Sequence, residues 1–412
     1  MKVPVAGEEP FDARTKSYHW RQLICRCCAV LLFLTTPLVS RAQTQQQARP
    51  PGSHPVPEPA VSAIIAAYDK YEVVGMGAAH GEKDQDDFIL SLIRNLSSLQ
   101  RVNDIAVECG NSLYQPILDR YIAGEDVPFT EVQKIWRNTT QEMCDWSGYY
   151  EQFFPLMRAI NQKLAPEKRL RMLACDPPID WELLKTGHRH KLLSRDETIA
   201  SVMEKEVLSK HRKALMLFGV FHLTHGTEGS AVSLYEKDYP NLTFVISELG
   251  SFDTDLPDLS RSPFATWPFP ALARAKGTWL GALGLGDFYP KDVSIDKDCK
   301  LHTMEFPKDE QKPVERLFDA FFYFGPNDLR LNEPMPADIA LDMDYRMEVE
   351  HRKALPNSPG PGSEAALKKS DREIVSSAAN PIQVIPKGDI KSWMGGAVQT
   401  CLDHKKHSNP SQ

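Results

Sequence analysis

From residue 71 onward, short apolar runs alternate with segments whose apolar residues recur at helical spacing. Tyr71 to Met76 is a β-like run, and Asp84 to Leu96 follows with Phe88, Leu92, Ile93 and Leu96 on one helical face. A second run at Asp104 to Glu108 leads into a helix around Leu113 to Ala123. A helical insert spans 130–164, its bulk supplied by Trp136, Trp146, Phe153, Phe154, Leu156 and Ile160. Further strands are predicted at Arg169 to Cys175, Lys213 to Gly219 and Leu242 to Ser247, with helices Arg195 to Ser209 and Ser230 to Tyr239 between them. Strand and helix alternating in this way predict an α/β fold with a mostly parallel sheet flanked by helices. Phe318 to Gly325 reads as a buried strand or helix that completes the core. The glycine-rich stretch Gly277 to Gly286 lacks dinucleotide spacing and shows no strand before it, so it reads as a loop.

The flanks break the alternation. Arg21 and Arg26 precede the apolar stretch Ala29 to Leu34, and Ser40-Arg41-Ala42 supplies small residues after it. Residues 1–42 therefore read as a signal peptide cut near Ala42, giving a secreted or periplasmic protein with no transmembrane anchor after cleavage. Residues 43–59, rich in Gln and Pro, read as a linker. The body is expected over 60–355, and 356–412 as a mostly disordered tail with a docked segment near Ile382 to Trp393.

Charge narrows the partners. The leader carries six basic and three acidic residues, so a chain of net charge −7 becomes about −10 once it is removed. An acidic protein without a basic stripe predicts no nucleic-acid partner. Three of the eight cysteines lie in the leader. The other five (Cys109, Cys144, Cys175, Cys299 and Cys401) are widely spaced and form neither a zinc-knuckle pattern nor a disulfide framework.

The candidate chemistry sits where the predicted strands end. The first run ends in Gly77-Ala78-Ala79-His80 and the fourth in Gly219-Val220-Phe221-His222. The second ends at Glu108, the third at Asp176 and the fifth at Glu248. In a parallel sheet these carboxyl ends are where ligands collect. Each residue also has a plainer reading. Glu108 could cap a helix, Asp176 before Pro177 could shape a turn, and Glu248 could be structural. His225 is either a second ligand or a solvated loop residue. Asp196 is placed to cap the helix it opens, with Glu197 in the first turn, and Arg195 to reach into the cleft for an anionic group. Cys109 and Cys175 read as buried small residues, or as a disulfide across adjacent strands. Imidazole with carboxylate suits two tasks. His80, Glu108 and His222 could hold a divalent metal that acidifies water, or one histidine could act as general base with its tautomer held by Glu108 or Asp176. Neither a Gly-x-Ser-x-Gly elbow nor a His-Glu-x-x-His helix is present.

The two Gly-x-x-His motifs, Glu108 and the run Gln115-Pro116-Ile117-Leu118-Asp119-Arg120-Tyr121-Ile122-Ala123-Gly124 resemble the superfamily of erythromycin esterase-like, ChaN-like haem-uptake and TraB/Tiki proteins. The ChaN-like branch is the closest in look, over roughly Tyr68 to Glu248. The resemblance implies an α/β fold with His80, Glu108 and His222 in one pocket. It also implies metal ligation in the Tiki branch, water activation on a lactone in the esterase branch, and haem binding in the ChaN branch. The expectation is an exported hydrolase acting on an ester, lactone or amide of a small-molecule or peptide substrate, with or without a divalent metal. Its site is His80, Glu108 and His222, with Asp176 and Arg195. The alternative is a non-catalytic haem- or metal-binding protein, with Trp136, Trp146, Tyr149 and Tyr150 of the insert as the aromatic lining.

Overall fold

The computed structural model describes residues 52–78, 82–141, 144, 148–187, 194–249, 264–285, 291–296, 298–305, 312–326, 331–332, 339, 341–355 and 383–384. All lie in one compact unit, 50–412. The leader 1–42, the linker up to residue 51, the loop 79–81 with His80, Trp146 and nearly all of the tail fall outside the described residues.

In chain order the strands are β1 (Pro57–Pro59), β2 (Val73–Gly77), β3 (Asp104–Asn111), β4 (Arg171–Asp176), β5 (Ala214–Phe218), β6 (Thr243–Glu248), β7 (Ala271–Arg274), β8 (Lys291–Ile295), β9 (Leu301–Glu305), β10 (Ala320–Tyr323), β11 (Leu331–Asn332) and β12 (Gln383–Val384). The helices are α1 (Ala60–Ala67), α2 (Lys83–Ser98), α3 (Gln115–Ala123), α4 (Phe129–Arg137), α5 (Gly148–Lys163), α6 (Trp181–Lys185), α7 (Arg195–Glu206), α8 (Val220–Leu223), α9 (Ala231–Tyr235) and α10 (Met343–Ala354). Eight strands form one mixed sheet in the order β1-β7-β10-β6-β2-β5-β3-β4. The run from β10 to β4 is parallel, and β7 is antiparallel to both β10 and β1. The strands β8 and β9 pair with each other, as do β11 and β12.

Strand periodicity divides the core into two layers. Val74, Met76, Ile105, Val107, Leu215, Leu217, Phe244 and Ile246 pack under α1 to α5. Their neighbours Val73, Ala106, Ala214, Met216, Phe218 and Val245 pack on α7 and α9. Successive side chains leave a strand on opposite faces, so apolar runs without alternation suit a sheet covered on both sides. Among the described residues no helix is long and apolar enough to cross a membrane.

Three sequence expectations change. The linker does not run to 59: Pro57–Pro59 pairs antiparallel with β7, and proline is admitted there because β1 is an edge strand. The glycine-rich stretch does follow a strand, β7. Its turn receives the chain at Ser53, with Ser53 N–H donating to Gly277 O at 3.0 Å and Trp279 N–H to Ser53 O at 3.1 Å. The cysteines also differ. Cys109 is bonded to Cys144, not Cys175, which is free and buried, and Cys299 is disulfide-bonded as well.

Candidate functional site

The sheet order brings β5, β3 and β4 side by side, so Gly219, Glu108 and Asp176 line up along one carboxyl edge. Glu108 stands in β3 where its register with β4 shifts between Val107 and Asn111. Asn111 ends that strand fully buried. Its carboxamide donates to Asn138 O and Ile179 O and accepts from the N–H groups of Leu113 and Ile179, so the chain beyond Glu108 is fixed on three sides.

Glu108 is itself buried, and a lone carboxylate there would be costly. Arg195 Nη2 donates to its Oε1 at 3.0 Å, and the Gly219 N–H donates to Oε2. Gly219 adopts ordinary backbone angles, φ −50° and ψ 134°. A Cβ there would lie 3.4 Å from Glu108 Oε2, an ordinary contact distance, so what Gly219 contributes to the site is its N–H. Gly77, the matching glycine of the first motif, is tighter: a Cβ would meet Val220 at 3.1 Å.

Arg195 is the hub. Its Nε donates to Asp176 Oδ1 at 2.7 Å while Nη2 holds Glu108. Burial raises the Asp176 carboxyl above its ordinary range and the nearby Glu108 charge adds to this, while Arg195 and the Thr140 N–H oppose it. The guanidinium expected to reach into the cleft for an anionic group thus pairs with two carboxylates of the chain itself.

His222 does not end a strand. Phe218 closes β5, Gly219 precedes the one-turn helix α8, and His222 sits within that turn. Its Nδ1 lies 2.9 Å from Asp196 Oδ1, and its Nε2 faces Glu108 Oε1 at 3.7 Å. Asp196 is therefore not the helix cap. Ser194 holds that position, and the Asp196 carboxylate accepts from the Ala231 N–H at 2.8 Å as well as facing the imidazole. Glu108, Asp176, Arg195, Asp196 and His222 thus form one connected constellation. Sequence reasoning placed four of them in the site and gave Asp196 only its capping role.

Other candidates lie elsewhere. His225 is held by Glu236 at 2.9 Å on Nδ1 and by Asp319 at 2.9 Å on Nε2, away from the cleft constellation. Burial disfavours its charged form, but the two carboxylates outweigh that and raise it to about 9. Glu248, at the end of β6, is pushed up to about 8 by burial, with the Asp84 charge adding to the rise. Burial drives the Cys175 thiol far above its usual range, which removes it as a nucleophile. Trp136, Tyr149 and Tyr150 are buried in the core layer that α1 to α5 form on the sheet, with Trp136 stacked on Phe154 and Tyr149 on Phe153, so they do not line the cleft. His80 lies outside the described residues, but the two histidine loops leave from adjacent parallel strands, with Gly77 opposite Phe218.

Among the described residues no group of three His, Cys, Asp or Glu side chains is arranged around a cation. The described donors also do not suit a divalent metal, because the Glu108 oxygen nearest His222 already accepts from the Arg195 cation.

No family profile and no curated protein matches the chain. Three solved structures are similar to it at low identity. A Bacillus cereus protein is 11% identical with a TM-score of 0.40, covering 66% of this chain and 94% of its own. ChaN of Campylobacter jejuni, described with cofacial haem bound, is 14% identical with a TM-score of 0.31, covering 46% and 86%. The type III effector HopBA1 is 13% identical with a TM-score of 0.31, covering 50% and 89%.

Proposed function

We propose that this protein is a hydrolase in which His222 acts as general base on water attacking an ester, lactone or amide carbonyl. The observation that carries the reading is the imidazole's two unequal sides. Nδ1 is committed to Asp196, which fixes the tautomer, and Nε2 is left facing the Glu108 side of the cleft. In the step, Nε2 takes a proton from water as its oxygen bonds to the carbonyl carbon. The same proton then passes to the leaving oxygen or nitrogen as the carbonyl bond to it breaks. Glu108 borders the water position, and Arg195 holds Glu108 and Asp176 in place. The adjacency of β2 and β5 supports His80 as a second imidazole of this cleft. The Cys109–Cys144 disulfide supports an exported protein, since such bonds persist in oxidising compartments.

The test is turnover of a panel of esters, lactones and peptides. His222→Ala is expected to lower kcat/KM by roughly 10²–10⁴-fold. Asp196→Asn should lower kcat with little change in KM. Unchanged hydrolysis in His222→Ala contradicts the reading. No hydrolysis at all, with a tight haemin Soret shift lost in His80→Ala, replaces it with haem binding.

A further inference from the structure

The carboxyl-edge cleft is not the only feature of the sheet that the chain has arranged with care. The strand β4 ends the sheet, and among the described residues no strand pairs with its outer side. Arg171 N–H donates inward to Asn103 O, so the peptide groups of residues 170, 172 and 174 face outward. A groove of about 890 Å³ runs along this edge, between α3 on one face of the sheet and α7 on the other. It contains none of the five cleft residues. Such an edge is a template for a strand of another chain.

Two side-chain amides occupy it. Gln115 Nε2 donates to Met172 O at 2.8 Å, and its Oε1 accepts from the Ala174 N–H at 2.8 Å. That is the pattern a residue of a parallel neighbouring strand would make, bonding the residues on either side of its opposite number. Asp119 Oδ1 accepts from the same Nε2 at 2.8 Å, one helical turn along α3, and this fixes which end of the amide points where. Asn161, almost fully buried, accepts from the Leu170 N–H at 2.9 Å and donates to Leu170 O at 2.8 Å. That is the two-bond exchange of an antiparallel pair. Neither contact serves the cleft, and together they satisfy four backbone groups that a ninth strand would otherwise take.

We propose that Gln115 and Asn161 are an edge seal, two carboxamides that stand in for a ninth strand and keep β4 from pairing with β4 of a second copy. A second copy is the occupant excluded because two identical edges can meet antiparallel about a two-fold axis, each satisfying the other.

Two measurements test the seal. In the unaltered full chain, backbone hydrogen exchange at Leu170 and Ala174 should be protected although no strand covers them, and exchange there at the rate of a free peptide overturns the proposal. In Gln115→Met, which keeps side-chain length and removes both bonds, exchange at Ala174 should rise by roughly three- to tenfold. Sedimentation of that variant should show mass growing towards two chains with concentration, beyond the unaltered chain. A folded Gln115→Met that sediments like the unaltered chain across the series overturns the proposal. Should this variant fail to fold, Gln115→Leu is read the same way, and the exchange measurement on the unaltered chain decides without either.

Discussion

His222 and His225 lie three residues apart, each paired with carboxylate, and the molecule uses them in opposite ways. His225 has a carboxylate on each nitrogen, from Glu236 after α9 and from Asp319 before β10. Asp319 also accepts from the Val245 N–H, so the imidazolium ties two neighbouring strands to a helix. His222 has one carboxylate committed on Nδ1, while Nε2, among the described residues, faces only Glu108 at a distance too long for a hydrogen bond. Counting partners per nitrogen separates a clamp from a base, where residue type and spacing do not.

The strongest way to break the comparison is to exchange the losses. His222→Ala should reduce turnover by roughly 10²–10⁴-fold in a folded protein, whereas His225→Ala should leave turnover per folded molecule unchanged and lower the denaturation midpoint. Equal catalytic losses would erase the distinction. Next in size is the hub. Arg195→Met leaves Glu108 and Asp176 buried beside each other without their cation, and should cost about 3–5 kcal/mol in urea unfolding. The loss should shrink at acid pH, where the Asp176 carboxyl, already raised by burial, takes up a proton.

The clamp has its own pH signature. The His225 pKa is raised from 6.5 to about 9, so its contribution is complete below 6.5 and is lost as pH rises through about 9. Unfolding measured across that window should show stability falling by on the order of 2–3 kcal/mol, and His225→Gln should flatten this component of the curve. The smallest expected effect is at Cys175. Its buried thiol should resist a thiol reagent in the folded chain and react only on unfolding.

Much of this was legible beforehand. The strand order could not be read, yet the apolar runs placed β2 to β6 within a few residues, because a doubly covered sheet needs uninterrupted apolar strands. Glu108, Asp176, Arg195 and His222 were found from a single cue, ionisable residues just past such runs. Asp196 was missed as a site residue because an acid in a helix's first turn already has a sufficient local explanation. Its second role depends on α7 and α8 meeting, which no local pattern encodes. The disulfide was missed for the same reason, since Cys144 comes from the insert. Beyond 252 the run Phe318 to Gly325 was read as a buried strand or helix and holds β10, but the role of the rest was not read. Its helix α10 reaches back so that Arg352 donates to Arg137 O at 2.8 Å and Asn138 Oδ1 at 2.7 Å, fixing the corner that presents Thr140 to Asp176.

The most direct test of the account is nitrogen NMR of the two imidazoles in one sample, followed from neutral to alkaline pH. The account predicts that the neutral form of His222 carries its proton on Nδ1, towards Asp196, while His225 stays protonated on both nitrogens until pH approaches about 9. A neutral His222 that carries its proton on Nε2, or a His225 that loses its charge near the ordinary 6.5, would contradict it.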